Sequence, residues 1–108
     1  MIVNNTVNTI VNLLNDSLYR SKLRRIINHF GIDNQLHKFH EETGELTGAI
    51  VRYNGGFLPT NQRIIEEFAD VIVIMSQIAE EYDVDMNIVE QIARSKPDEV
   101  IQEYYIGE

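Results

Sequence analysis

Between Leu36 and Tyr82 the chain reads LHKFHEETGELTGAIVRYNGGFLPTNQRIIEEFADVIVIMSQIAEEY. Two apolar series, each stepping by three and four, flank a glycine-containing break. Leu36, Phe39, Thr43, Leu46, Ile50 and Tyr53 form the seam of one helix. Ile64, Phe68, Val71, Met75, Ile78 and Tyr82 form the seam of another, widened by Ile65, Ile72 and Ala79. Asn54-Gly55-Gly56 closes the first helix, because both glycines accept left-handed geometry. Asp33 or Asn34 is its expected cap. Pro59 and Thr60 open the second helix, with Thr60 as the cap. Val71-Ile72-Val73-Ile74 is β-like only in isolation, since it sits inside a long helical period among Glu, Ala and Gln. A short connection makes two such helices antiparallel neighbours.

The same period extends outward from this hairpin. Val7, Ile10, Val11, Leu14 and Leu18 step by three and four; Leu23, Ile26, Ile27 and Phe30 continue the pattern, and Gly31 stops it. Asn15-Asp16-Ser17 is either a kink within one helix or a fresh cap between two. Beyond Tyr82, Asp83-Val84-Asp85 is a turn, with Asp85 capping a segment that carries Met86, Ile88, Val89 and Ile92. Pro97 interrupts that segment, with Ser95 as a new cap, and Val100, Ile101 and Tyr104 resume it. The expected fold is all-α, four or five helices in a single domain spanning 1–108.

Composition fits one packed domain. The 108 residues are 44% hydrophobic and 24% charged, enough for a core and inconsistent with wholesale disorder. Nine Lys and Arg face 17 Asp and Glu, a formal charge of -8, which argues against nucleic-acid binding. Without cysteine there is no disulfide, thiolate ligand or thiol nucleophile. No apolar run is long enough for a membrane span, and no basic segment precedes the first apolar residues as in a signal peptide. The expectation is a cytoplasmic protein that engages no membrane.

The surplus acid is concentrated where the two long helices meet. Glu42 lies roughly 80° to one side of its seam and Glu45 about 140° to the same side. In the next helix Glu67 and Asp70 lie at about the same two angles, with the same rotational sense. Antiparallel neighbours sharing a core meet along flanks of the same sense. A hairpin centred on Gly56 sets Glu45 against Glu67 and Glu42 against Asp70. Ionised together, four carboxylates repel, so either a proton or a cation joins them. Oxygen donors without Cys or a matched His point to a hard ion, Mg²⁺ or Mn²⁺.

Glu41-Glu42-Thr43-Gly44-Glu45 followed by Glu67-Phe68-Ala69-Asp70 resembles the paired motif E-E-x-x-E and E-x-x-D of the MazG-like all-α nucleoside triphosphate pyrophosphohydrolases. Asn34-Gln35-Leu36, Lys38, Leu46 and Ala69-Asp70-Val71 also resemble the short phage-type members. The resemblance runs from about Ile26 to Tyr82. It implies a four-helix-bundle core, here with an extra N-terminal helix from Asn5 to Asp16, assembled as a homodimer or homotetramer. It implies Mg²⁺-dependent conversion of (d)NTP to (d)NMP and pyrophosphate by water attack at the α-phosphate. Glu42, Glu45, Glu67 and Asp70 would hold the metal, with Mn²⁺ a possible substitute. Glu41 would assist catalysis, and Lys38 would pair with Glu42 or reach a phosphate. Relatives carry a basic set on the last helix; here Arg94 and Lys96 are the matching substrate-binding candidates, and no basic residue follows them. Phosphate contacts would otherwise fall to Arg52, Arg63 or a neighbouring subunit. The alternative is a catalytically weak or inactive scaffold that binds nucleotide or a protein partner.

Other side chains have plainer roles. His37 and His40 lack the E-x-x-H spacing of a di-iron bundle and belong at a groove edge or surface. Tyr53, Tyr82 and Met75 lie on seams and belong to a core or an interface. Glu66 points to solvent. Glu80, Glu81, Asp83 and Asp85 form a solvated helix end and caps, without the glycine and bidentate Glu of a calcium loop. Arg20, Lys22, Arg24 and Arg25 form a basic surface face.

Overall fold

The computed structural model describes residues 6–107. Asn5, the expected start of the first helix, and the side chain of Val7 lie outside the described residues. Five helices follow in order: α1 (Thr6–Leu14), α2 (Ser17–Phe30), α3 (Ile32–Asn54), α4 (Gln62–Glu81) and α5 (Met86–Glu103). The result is an all-α bundle with no strand among the described residues. None of these helices is long and apolar enough to cross a membrane.

Polar side chains cap two of the helices, α2 and α5, and backbone geometry sets the other boundaries. Asp16 has extended backbone geometry and accepts hydrogen bonds from the amides of Leu18 and Tyr19 at 3.0 and 3.1 Å. It is a fresh cap, so the N-terminal segment is two helices. Gly31 ends α2 and precedes α3 with φ 84° and ψ 146°, a conformation closed to residues with a Cβ. Asp33 and Asn34 therefore do not cap α3 but lie inside its first turn. Asn34 instead donates from Nδ2 to the Phe30 carbonyl at 2.6 Å, satisfying an orphan group of the preceding helix.

At the central hairpin only Gly56 is left-handed, with φ 80°, while Gly55 stays right-handed at φ -79°. Asn61 occupies the cap position of α4 without a side-chain bond, and Thr60 Oγ1 accepts from the Gln62 amide at 3.3 Å. Asp85 caps α5 as expected, through the amides of Asn87 and Ile88. Pro97 does not interrupt α5, which runs continuously through it. Ser95 is not a cap; its hydroxyl donates to the Ile92 carbonyl at 2.9 Å. The segment from Gln91 onward is exposed, so water can serve the carbonyl that Pro97 leaves without a donor.

Helix α4 is the hub, packing against α1, α2 and α3, while α5 packs chiefly against α1. Ile10, Leu23, Ile27, Ala49, Val71, Ile74 and Ala79 form the buried apolar core. Helix α1 thus belongs to the core through Ile10, which is 1% exposed. Arg20 and Arg24 of α2 clamp the end of α4 through Glu80 and Glu81, at 3.0 and 2.6 Å.

The α3–α4 contact differs from the expected seam. Helix α3 buries Gln35, Glu42 and Ala49, and α4 buries Glu67, Val71, Ile74, Ser76, Gln77 and Ala79. Leu36, Ile50, Tyr53, Ile65, Phe68 and Tyr82 remain 38–53% exposed. The helices meet on the flank that carries the polar side chains, and much of the apolar seam becomes an outward face. Their register is the expected one: Gln35 Nε2 donates to Gln77 Oε1 at 2.7 Å, and positions 35 and 77 average to 56, the left-handed glycine of the turn.

Candidate metal centre

Spacings of three and four along α3 stack Lys38, Glu41, Glu42 and Glu45 on neighbouring turns, and along α4 they do the same for Arg63, Glu66, Glu67 and Asp70. The antiparallel register sets these two groups against each other in the middle of the contact. Glu42, Glu67 and Asp70 each place one carboxylate oxygen within 4.8 Å of the other two. Glu42 and Glu67 are buried, at 6% and 1% exposure, and Asp70 opens the cluster to solvent.

Each buried carboxylate is half neutralised. Lys38 Nζ stands 3.1 Å from Glu42 Oε1 and 3.7 Å from Glu41, while Arg63 reaches Glu67 Oε1 at 2.7 Å and Glu66 at 3.6 Å. Glu42 accepts a hydrogen bond from the Lys38 ammonium and attracts its charge, holding it above its ordinary value of 10.5. The second oxygen, Oε2, of both Glu42 and Glu67 is buried and has no hydrogen-bond partner. A buried carboxylate oxygen left unpaired is costly, and the cost grows beside like charge. A cation bound among these oxygens relieves it. Three carboxylates with no His or thiolate among them suit a hard divalent ion.

The fourth expected ligand, Glu45, is exposed and is not one of the three converging groups. It lines an adjoining groove of about 510 Å³ with Glu41, Gly44, Gly48, Arg52, Arg63 and Glu67. A second groove of about 400 Å³ shares Glu41 and is lined by Phe30, Asn34, Gln35, His37, Lys38 and Ile74. Both volumes fall in the range of small-molecule sites.

Arg94 and Lys96 lie elsewhere. Arg94 pairs with Glu90 at 2.8 Å and Lys96 with Glu99 at 3.2 Å, along the surface of α5, and neither lines the two grooves. Arg52 and Arg63 both border the first groove. The buried Gln35–Gln77 pair was not anticipated. Its signal was the seven-residue spacing of Gln35, Glu42 and Ala49, which marks one helical stripe as plainly as the apolar seam does. Compared with known protein families, with curated proteins and with solved structures, the chain finds no match.

Proposed function

We propose that the chain is a Mg²⁺-dependent nucleotide pyrophosphohydrolase, converting (d)NTP to (d)NMP and pyrophosphate. The observation that carries this reading is the pair of buried, unpartnered oxygens of Glu42 and Glu67 beside Asp70. Glu42, Glu67 and Asp70 would hold the ion, with Glu45 available from the adjoining groove wall. When bound, the ion supplies charge neutralisation on the phosphates and acidifies a coordinated water.

The chain's own residues supply the rest. Glu41 lines both grooves, exposed and next in sequence to the buried Glu42. In this reading it orients the attacking water and accepts its proton. The water oxygen bonds to the α-phosphorus, the bond to the bridging oxygen breaks, and pyrophosphate leaves with that oxygen. Lys38, half exposed beside Glu42 Oε1 and lining the second groove, would reach a phosphate held there. No covalent nucleophile is needed. Two or four copies would cover the apolar seam that a single chain leaves open.

Release of pyrophosphate from a panel of (d)NTPs tests the reading, with Mg²⁺ and with chelator, for wild type and Glu67→Gln. Turnover that needs Mg²⁺ and is lost in the variant is expected. A folded wild type that turns over none of the panel overturns the enzymatic reading. The result would favour a scaffold that binds nucleotide or a protein partner. The engagement of Arg94 and Lys96 with their own helix is the observation on that side.

A further inference from the structure

The first groove carries both signs of charge: Glu41, Glu45 and Glu67 line it together with Arg52 and Arg63. Glu67, which carries the buried, unpartnered oxygen of the acidic cluster, is thus shared between the cluster and the groove wall. Arg52 makes no ion pair among the described residues, and its Nη1 lies 3.3 Å from where a Cβ on Gly48 would stand. Gly44 and Gly48 are one turn apart on the wall, both interior to α3. Glycine inside a helix is unfavourable relative to alanine. Packing does not require it at Gly44, where a Cβ would meet nothing within 4 Å. Bare backbone on a groove wall admits close approach by a ligand. A ligand matching this groove carries a cation toward the carboxylates and negative charge toward the two guanidiniums. A metal-chelated polyphosphate has that polarity, and guanidinium forks match phosphate oxygens.

We infer that the groove walled by Gly44 and Gly48 and bordered by Arg52 and Arg63 seats the terminal phosphoryl groups of the substrate's polyphosphate. This rests on the hydrolase reading for the identity of the substrate, but not for the seat itself. Arg63 has two roles in it. It pairs with Glu67 at Oε1, leaving Oε2 for a cation, and it borders the groove where phosphate would sit.

Calorimetric titration with inorganic tripolyphosphate in Mg²⁺, and separately with Mn²⁺ alone, tests this on wild type, Arg52→Ala, Arg63→Ala and Gly44→Ala, with circular dichroism checking each fold. Tripolyphosphate binding should weaken roughly 10- to 100-fold in each arginine variant. Mn²⁺ affinity should stay unchanged in Arg52→Ala and rise in Arg63→Ala, where a competing cation is gone. Gly44→Ala should weaken tripolyphosphate binding while raising the melting temperature, a pairing that a purely structural role would not give. If wild type binds tripolyphosphate and the variants bind it equally well, the seat is overturned and the hydrolase reading stands. If the variants lose tripolyphosphate but wild type hydrolyses no nucleotide, the seat stands and the hydrolase reading falls. No tripolyphosphate binding by wild type overturns the seat.

Discussion

Glu67 is the most deeply buried carboxylate of the acidic cluster. It is 1% exposed, tied on one oxygen to Arg63 and unpartnered on the other. If that free oxygen helps to hold a divalent ion, Mg²⁺ or Mn²⁺ must stabilise the folded chain by linkage. At a hundred times the dissociation constant the gain is about 2.7 kcal/mol. For a chain of this size that raises the melting temperature on the order of 10 °C. Thermal melts with and without metal should show the rise in wild type and none in Glu67→Gln. Lys38 gives a second test. Its folded pKa is raised by Glu42, so the stabilisation from this pair is fully present below the ordinary lysine value of 10.5. It is lost as pH rises through the folded value. The difference in melting temperature between wild type and Lys38→Met, open at pH 8, should therefore close at strongly alkaline pH.

At the scale of elements, the helices differ in how they are held. Helix α4 is surrounded by three others, and its end is clamped by the two arginines of α2. Helix α5 starts on a well-formed Asp85 cap, but from Gln91 onward every described residue is exposed. Pro97 sits in that exposed part, where it removes a helical hydrogen bond and crowds the preceding turn. Pro97→Ala should raise helical content and stabilise the arm by up to about 3 kcal/mol. Circular dichroism and the protection of amides 98–103 from hydrogen exchange would read this directly; unchanged protection would mean that the arm frays as a unit. Asp85→Ala should cost about 1 kcal/mol, because it strips two amides of their acceptor.

The whole molecule has a Cα radius of gyration of 16.3 Å, against about 13 Å for a compact chain of this length. It also exposes Tyr53, Ile65 and Phe68 on α3 and α4, with Tyr82 just past α4, and Val100 and Ile101 on α5, with Tyr104 just past it. Large apolar side chains left exposed in number are what an interaction surface supplies. A second copy placed on the α3–α4 seam would bury Tyr53, Ile65 and Phe68. Light scattering coupled to size exclusion should find wild type as a dimer or tetramer and Phe68→Glu as a smaller species. A monomeric wild type would refute this assembly.

Periodicity determined that the chain is helical, because a spacing of three and four is a property of one helix by itself. It also determined the hairpin register: the length between the acidic groups and the position of Gly56 leave one antiparallel pairing, and Gln35 meets Gln77 in it. The meeting of Glu42 with Asp70 was legible for the same reason. Which face of each helix is buried was not. A sequence shows that a stripe is apolar but not what covers it, and here the contact centres on Gln35, Glu42 and Ala49 while much of the apolar seam faces outward. The caps at Asp33, Asn34 and Ser95 failed on similar ground, since Gly31 and the continuous α5 set those boundaries through backbone geometry. Tertiary structure alone decided that Glu67 and Glu42 are buried with an oxygen to spare. It also placed Arg52 and Arg63, rather than Arg94 and Lys96, on the groove beside them. Burial and proximity across helices depend on how three-dimensional surfaces dock, and no spacing along one chain segment contains that information.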